Sequence, residues 1–311
     1  MTLPRISVCI APYKRADRLA LLLQDLLAQT LLPVQVVVVD NDAGLSAQAT
    51  VDQFNAQQPT RTATFELVYG TQLERNISLT RNLTVAMATG DWLAFIDDDE
   101  RAPPNWLQQL YDSACANGAD GVLGPVIPEL PAQAPDWIRK GDFYSFPRLP
   151  SGAVVPLNQL RFGNVLLRGG PTRAEPGPFD PAFQLSTGED ADMLLRLIAK
   201  GAKVIWCDEA FVTEPVEPAR MSFEWLRQRA YSGGQEFARK ALTGCYGHMG
   251  RLARAKFAAV ACAKLGMALV MALLTLPFGR HHTAHWLIRA QANLGKLSAF
   301  SGVRYQEYSR V

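Results

Sequence analysis

Several classes of protein are excluded by what this 311-residue chain lacks. Its cysteines number five and none forms a C-x-x-C pair, so we expect neither a disulfide framework nor a zinc site. It has no internal repeat and no long low-complexity run, and 48% of its residues are apolar, which suffices for a sizeable core. The N-terminus lacks a basic segment followed by a long apolar stretch, so we expect no secretory signal and a cytoplasmic protein.

Acidic residues are scarce in the last third of the chain. Residues 218–311 carry 14 Lys and Arg but only 3 Asp and Glu, a net charge of +11, whereas residues 1–217 carry −9. The acidic first part argues against nucleic acid as a partner, and the basic last part can meet phosphate groups, including those of lipids. Two parts of opposite charge indicate two different tasks.

The first 130 residues alternate strand-like and helix-like segments. Short apolar runs predict strands at 6–11, 34–39, 63–69, 92–96 and 121–126, with helices between them. This alternation predicts an α/β fold with a mostly parallel, Rossmann-like sheet and helices on both of its faces.

Polar clusters follow three of these predicted strands, at residues 12–15, 40–42 and 97–100. Ligands of such sheets bind beyond the carboxyl ends of the strands, so we expect the three clusters to converge on one site.

Four consecutive acids, Asp97–Glu100, follow the fourth predicted strand. Adjacent carboxylates repel one another, and a hard divalent cation such as Mg²⁺ or Mn²⁺ relieves that repulsion. The alternative is a solvated acidic turn that caps the next helix. A second acidic group opens a predicted helix at 189–200, and it either caps that helix or supplies a general base.

Four motifs, taken in order, resemble glycosyltransferase family 2 with the GT-A fold. They are ISVCIAPYKRADRLALLLQDLLAQT, VVVVDND, RNISLTRNLTVAMATGDWLAFIDDDE and STGEDADMLLRL, and they cover about residues 5–220. The residue pattern of the third motif is most similar to that of bacterial exopolysaccharide glycosyltransferases of the succinoglycan type. The resemblance implies an inverting, metal-dependent enzyme that moves a hexose from a nucleotide-diphosphate sugar, expected to be a UDP-sugar, to a lipid-linked or polysaccharide acceptor.

The resemblance also implies roles for the matching residues. Asp190 would be the general base, with Glu189 beside it on the acceptor side. Asp99 and Asp97 would hold Mn²⁺ or Mg²⁺, and Glu214 stands where the family often places a metal-binding His. The residues expected to contact the nucleotide sugar are Pro12, Tyr13, Arg15, Asp40, Asn41, Arg81, Asp97 and Asp98. A Q-x-x-R-W motif of processive synthases is not evident, which favours the addition of one sugar per encounter.

The expected domains are a catalytic domain at 1–220 and a basic, apolar helical tail at 221–311. Within the first, the nucleotide-sugar half covers about 1–126 and the acceptor half about 127–220. The tail contains an apolar stretch at 257–278 that only Lys264 interrupts, and its uncharged part is shorter than the roughly 20 residues of a spanning helix.

Three interpretations of this stretch stay open: an interfacial or re-entrant helix, a buried core helix, and a strained membrane span. We expect peripheral contact with the cytoplasmic face of the inner membrane. The histidines at 281–285 are expected in a solvated loop or a membrane-facing turn.

Two other functions stay open at this point. A nucleotidyltransferase shares metal-binding acids on an α/β sheet, but it would carry a glycine-rich loop after the first strand, and APYKRADR contains no glycine. A non-catalytic carbohydrate-assembly protein on the same fold would have lost its acids, whereas both acidic motifs are intact.

Overall fold

The structure is a computed structural model that describes residues 4–57, 64–175, 177–183 and 188–301. It contains two compact units. Unit 1 consists of Met1–Ile127 and Phe146–Glu214, and unit 2 of Pro128–Ser145 and Pro215–Val311. The domains expected at 1–220 and 221–311 stay a prediction, since compactness does not test which segment performs which task.

Unit 1 is built on a seven-stranded sheet. Its strands are β1 (Ile6–Ile10), β2 (Gln35–Asp40), β3 (Glu66–Thr71), β4 (Trp92–Phe95), β5 (Gly121–Leu123), β7 (Val165–Arg168) and β8 (Val204–Trp206), and a separate pair is formed by β6 (Val126–Glu129) and β9 (Val212–Pro215). The strand order is β3-β2-β1-β4-β7-β5-β8. Strands β1 to β4 pair in parallel, as do β5 and β8, whereas β7 runs antiparallel to both of its neighbours. The predicted mostly parallel sheet is confirmed.

Ten helices lie in the described residues. They are α1 (Ala16–Leu27), α2 (Gln48–Gln57), α3 (Ile77–Met87), α4 (Trp106–Asn117), α6 (Gly169–Arg173) and α7 (Glu189–Ala199) in unit 1, and α5 (Asp136–Gly141), α8 (Phe223–Leu242), α9 (Arg251–Leu274) and α10 (Arg280–Ser298) in unit 2.

The core of unit 1 explains why these segments fold as they do. Strands β1 and β2 are buried at every residue, as expected for apolar strands that are covered on both faces. Helix α1 turns Leu19, Leu22, Leu23 and Leu26 inward at helical spacing, and all four are fully buried. Each such leucine stabilises the fold by roughly 1.5–3 kcal/mol.

Unit 2 holds a close helix contact that its glycines permit. Helix α10 packs against both α8 and α9. A Cβ atom at Gly295 of α10 would lie 2.1 Å from the carbonyl oxygen of Tyr231, and one at Gly234 of α8 would lie 2.0 Å from that of Ala292. The histidines at 281–285 do not lie in a loop or turn, as was predicted. They lie in the first turns of α10, a helix that its packing against α8 and α9 stabilises.

Among the described residues, one helix is long and apolar enough to cross a membrane by length and composition alone, and it is α9. Only 17% of its most apolar 18-residue window is buried. The interpretation as a buried core helix is therefore wrong, because most of this surface is exposed.

Candidate active site

Three polar loops meet at one edge of the sheet in unit 1. Strands β1, β2 and β4 are parallel neighbours, so the loops that follow them leave the sheet at the same edge. The first and third loops are in contact, because the backbone N–H of Tyr13 donates a hydrogen bond to Oδ2 of Asp98 over 3.2 Å. The predicted convergence of the polar clusters at 12–15 and 97–100 is therefore confirmed.

Arg15 neutralises two acids of the Asp97–Glu100 cluster. Its Nη1 atom lies 2.9 Å from Oδ1 of Asp98 and 2.9 Å from Oδ2 of Asp99. Both aspartate side chains are almost covered. Burial raises the pKa of Asp98 to about 7, although Arg15 lowers it and Asp99 raises it further.

Arg81 joins the two acidic motifs. It lies on α3, whose first turn is capped by the Asn76 side chain. Its Nη1 lies 2.8 Å from Oε1 of Glu189 and its Nη2 lies 3.4 Å from Oδ1 of Asp97, so one buried guanidinium contacts acids that are far apart in the chain. The rings of Phe162 and Phe179 lie 4.9 and 5.8 Å from the guanidinium carbon.

Asp97 and Asp190 are close enough to affect each other's charge. Half of the Asp97 side chain is exposed, yet the pKa of Asp97 is raised, because the surrounding protein desolvates it and Asp99 and Asp190 add negative charge. Asp190 is half-buried at the start of α7, where its Oδ1 accepts a hydrogen bond from the N–H of Ala191. Ser186 and Thr187, the first residues of the fourth motif, lie outside the described residues.

Glu100 is an acid whose burial the sequence did not predict. Its Oε2 accepts a hydrogen bond from the N–H of Asp97, and burial raises its pKa well above the usual value, with Asp97 and Glu214 adding to the shift. Gly163 has φ of +108°, and a Cβ atom there would lie 2.8 Å from Oε1 of Glu100. A glycine is therefore needed beside this acid.

The loop after β2 is held mainly by its own polar groups. Asp40 is fully buried and accepts hydrogen bonds from the N–H groups of Asp42 and Ala47 and from the hydroxyl of Tyr69. Asn41 donates both amide hydrogens to the backbone carbonyls of residues 72 and 74. Asp40 therefore shapes the loop, and Asn41 keeps its side-chain oxygen as an acceptor.

The acids of the site match the donors that Mn²⁺ and Mg²⁺ prefer. Asp97 presents a half-exposed carboxylate, and Asp99 follows two residues later. Desolvation is the main reason why the pKa of Asp97 is raised, and Arg81 offsets it in part while Asp99 and Asp190 add to it. In the part of the chain that the structure describes, no group of three or more His, Cys, Asp or Glu side chains is arranged as a metal site. The chemistry of Asp97 and Asp99 fits a divalent cation.

The burial of Glu189 predicts a measurable pH dependence of stability. Desolvation and the nearby Asp190 raise the pKa of Glu189 from 4.5 to about 7, while Arg81 lowers it. The carboxyl group of Glu189 thus binds its proton more tightly in the folded state than in the unfolded state. The resulting stability is present below pH 4.5 and is lost as the pH rises through 7.

We expect Glu189→Gln to remove this dependence. Between about pH 5 and pH 8, the free energy of unfolding of the wild type should fall by about 1–3 kcal/mol more than that of the variant. Urea unfolding in the presence of a chelator measures both. Equal pH dependence in the two proteins would show that Glu189 does not titrate in this range.

Known proteins resemble this chain over most of its length. A family profile described as glycosyl transferase family 2 matches residues 7–164, and one described as glycosyl transferase family group 2 matches residues 92–295. The chain is 33% identical over 302 residues to succinoglycan biosynthesis protein ExoM of Rhizobium meliloti, covering 96% of this chain and 94% of that protein. It is 25% identical over 243 residues to glucosyl-dolichyl phosphate glucuronosyltransferase of Haloferax volcanii, covering 74% of each.

Solved structures resemble the fold at low sequence identity. TarS 1–349 of S. aureus in complex with UDP has a TM-score of 0.53 and 16% identity, covering 97% of this chain and 93% of that one. The mannosyltransferase PcManGT of Pyrobaculum calidifontis, in complex with GDP-Man and Mn²⁺, has a TM-score of 0.63 and 17% identity, covering 96% and 88%. With these neighbours the predicted GT-A fold with a helical C-terminal extension is confirmed.

Proposed function

The chain belongs to glycosyltransferase family 2, as its motifs predicted, and we propose that it is an inverting enzyme that moves a hexose from a UDP-sugar. The acceptor would be a hydroxyl of a lipid-linked glycan or a polysaccharide. The observation that carries this proposal is the position of Arg81, which contacts Asp97 on one side and Glu189 on the other. Asp97 of the expected donor site and Glu189, the neighbour of the expected base Asp190, thereby share one arginine.

The donor would enter where Arg15 and Arg81 now neutralise the acids. Both guanidinium groups can donate hydrogen bonds to the departing diphosphate, whose negative charge would compete for them. Pro12 and Tyr13 would border the base, and the side-chain oxygen of Asn41 would accept from the N3–H of uracil. Names of structural neighbours support a nucleotide-diphosphate donor, since they include UDP and GDP-Man complexes.

Asp190 would be the general base. It is half-buried and free of an ion pair with Arg81, whereas Glu189 is buried and paired with that arginine. Asp190 would take the proton of the acceptor hydroxyl as its oxygen displaces the nucleoside diphosphate at the anomeric carbon, which inverts the configuration. Glu189 would then position Arg81 instead of contacting the acceptor.

Asp97 and Asp99 would hold Mn²⁺ or Mg²⁺, with Glu214 as a further oxygen ligand, and Asp98 would support the donor through Tyr13 and Arg15. When bound, the cation supplies Lewis-acid stabilisation of charge on the leaving diphosphate.

A lipid-linked acceptor at the cytoplasmic face of the inner membrane agrees with two observations. One relative is named as a glucuronosyltransferase of glucosyl-dolichyl phosphate. The other observation is the basic and apolar C-terminal part of the chain. Family membership favours sugar transfer over nucleotidyl transfer, and the retained acids favour catalysis over a purely structural role in glycan assembly.

A donor screen tests this proposal. The purified chain is incubated with UDP-glucose, UDP-galactose, UDP-N-acetylglucosamine or GDP-mannose, with Mn²⁺ or a chelator, while release of nucleoside diphosphate and donor affinity are measured in parallel. We expect one UDP-hexose to bind and to release UDP, and we expect the chelator to abolish the release. Selective use of GDP-mannose would contradict uracil as the nucleobase of the donor. Release of nucleoside diphosphate that persists in the chelator would contradict the proposed metal dependence.

A further inference from the structure

Helix α9 has an apolar surface that the rest of the protein leaves largely uncovered. Ala261, Ala268 and Ala272 recur at spacings of seven and four residues, and they form its buried stripe. Exposed large side chains occupy the opposite face, namely Leu252, Met267, Val270 and Leu274. Each of these four side chains is more than half exposed.

This arrangement is the reverse of a helix on a water-soluble protein. Such a helix turns its large apolar residues toward the core and its polar residues outward. Helix α9 instead uses small residues for its contact with α10 and leaves the large ones outside. Helices in lipid show this pattern, because lipid tails solvate large apolar side chains and small residues allow helices to pack closely.

The charges on α9 identify the kind of partner. The helix contains no Asp or Glu, and its four cations, Arg251, Arg254, Lys256 and Lys264, are all exposed. A partner that is both apolar and negatively charged complements this surface, and an anionic lipid bilayer has both properties. A second copy of the chain would instead bring a helix of the same charge against it.

The packing of α9 against α10 decides how α9 meets the bilayer. A short turn joins the two helices, so α10 runs back beside α9, and α10 also packs on α8. Arg289 is exposed in the middle of α10, and Lys296 follows in its last turn. If α9 crossed the bilayer, these charged side chains and those of α8 would enter the hydrocarbon, which is strongly unfavourable.

We propose that α9 lies in the plane of an anionic membrane surface, with the face opposite its alanine stripe buried among the lipids. The exposed side chains of Leu276 and Phe278, in the turn after α9, extend the same apolar surface. The inference rests on the proposed function in one respect: a lipid-linked acceptor is the reason for holding the enzyme at a membrane.

Vesicle flotation of the full-length chain tests the partner. The vesicles consist of phosphatidylcholine alone or of equal parts phosphatidylcholine and phosphatidylglycerol, and no donor or acceptor is added. We expect binding to the anionic vesicles and about tenfold less binding by a double variant, Met267→Glu with Val270→Glu. Leu21→Glu, an exposed leucine on α1, is the matched control and should bind like the wild type.

Two outcomes would overturn the membrane partner. One is equal vesicle binding by the wild type and the double variant. The other is absence of vesicle binding together with a dimer that the double variant dissociates, which would identify a second copy as the occupant. Circular dichroism of each variant verifies that the helices are retained, and donor binding is measured separately, so a failed transfer reaction does not affect this test.

Cysteine labelling tests the orientation. In a background where the exposed cysteines Cys115, Cys245 and Cys262 are replaced by serine, Arg251→Cys and His282→Cys place a thiol near either end of α9. With protein bound to sealed anionic vesicles from outside, a membrane-impermeant maleimide should label both positions. Labelling of only one position until detergent is added would show that α9 crosses the bilayer.

Discussion

Replacing Asp190 by Asn is expected to slow sugar transfer by about 10²–10⁴-fold, the usual contribution of a positioned general base. The amide cannot accept the proton of the acceptor hydroxyl, but it keeps the size of the carboxylate and an oxygen that can accept from the N–H of Ala191. The donor affinity should stay near the wild-type value, because the ion pairs of Arg15 and Arg81 are retained.

Asp192→Asn is the matched control for this prediction. Asp192 lies on the same helix and pairs with Arg196 at 3.0 Å, away from the contacts of Arg81. Initial rates with the acceptor and donor binding in the absence of acceptor are measured for both variants. Near-normal turnover of Asp190→Asn would exclude Asp190 as the base, and a similar loss in Asp192→Asn would indicate damage to α7 instead of lost chemistry.

Much of the sheet could be predicted, because its strands are short apolar runs that end at polar residues. The valines of β2 and the acids after β4 mark their strand ends in this way. The antiparallel direction of β7 was not predictable, because direction depends on how the chain returns to the sheet and periodicity carries no signal for it.

The tail was predicted to be helical, but the start of α10 was predicted as a loop or turn for a related reason. Its first turns are rich in histidine, and its pattern is weakly amphipathic, so sequence alone favoured a loop. The helix is stabilised by the approach of Gly295 to the backbone of Tyr231, and such a contact exists only after α8 and α10 have packed together.

Residues of the candidate site could be predicted where motifs follow strands. They could not be predicted where distant segments of the chain contact those motifs. Arg81 was predicted as a site residue from its motif, but its contact with Glu189 spans a long stretch of chain and was not predicted. Phe162, Phe179 and Gly163 were not recognised, because isolated aromatic residues and a single glycine give no periodic pattern. They contact Arg81 or Glu100 only once the chain has folded.

The second large effect is expected for Asp99→Ala, which should remove the increase in donor affinity that Mn²⁺ provides. Asp99 would supply a carboxylate oxygen to the cation, and alanine has none. The fold should tolerate the change, because Arg15 keeps its contact with Asp98 at 2.9 Å and the N–H of Tyr13 still donates to the same aspartate.

Titration calorimetry with the UDP-sugar, with and without Mn²⁺, separates the metal effect from direct binding by the arginines. Asp52→Ala removes an exposed carboxylate of α2 and is the matched control, in which Mn²⁺ should raise the affinity as in the wild type. If Mn²⁺ raises the affinity of Asp99→Ala as much as that of the wild type, Asp99 is not a ligand. If Mn²⁺ has no effect on the wild type, the acids act through Arg15 and Arg81 alone, and the proposed metal dependence fails.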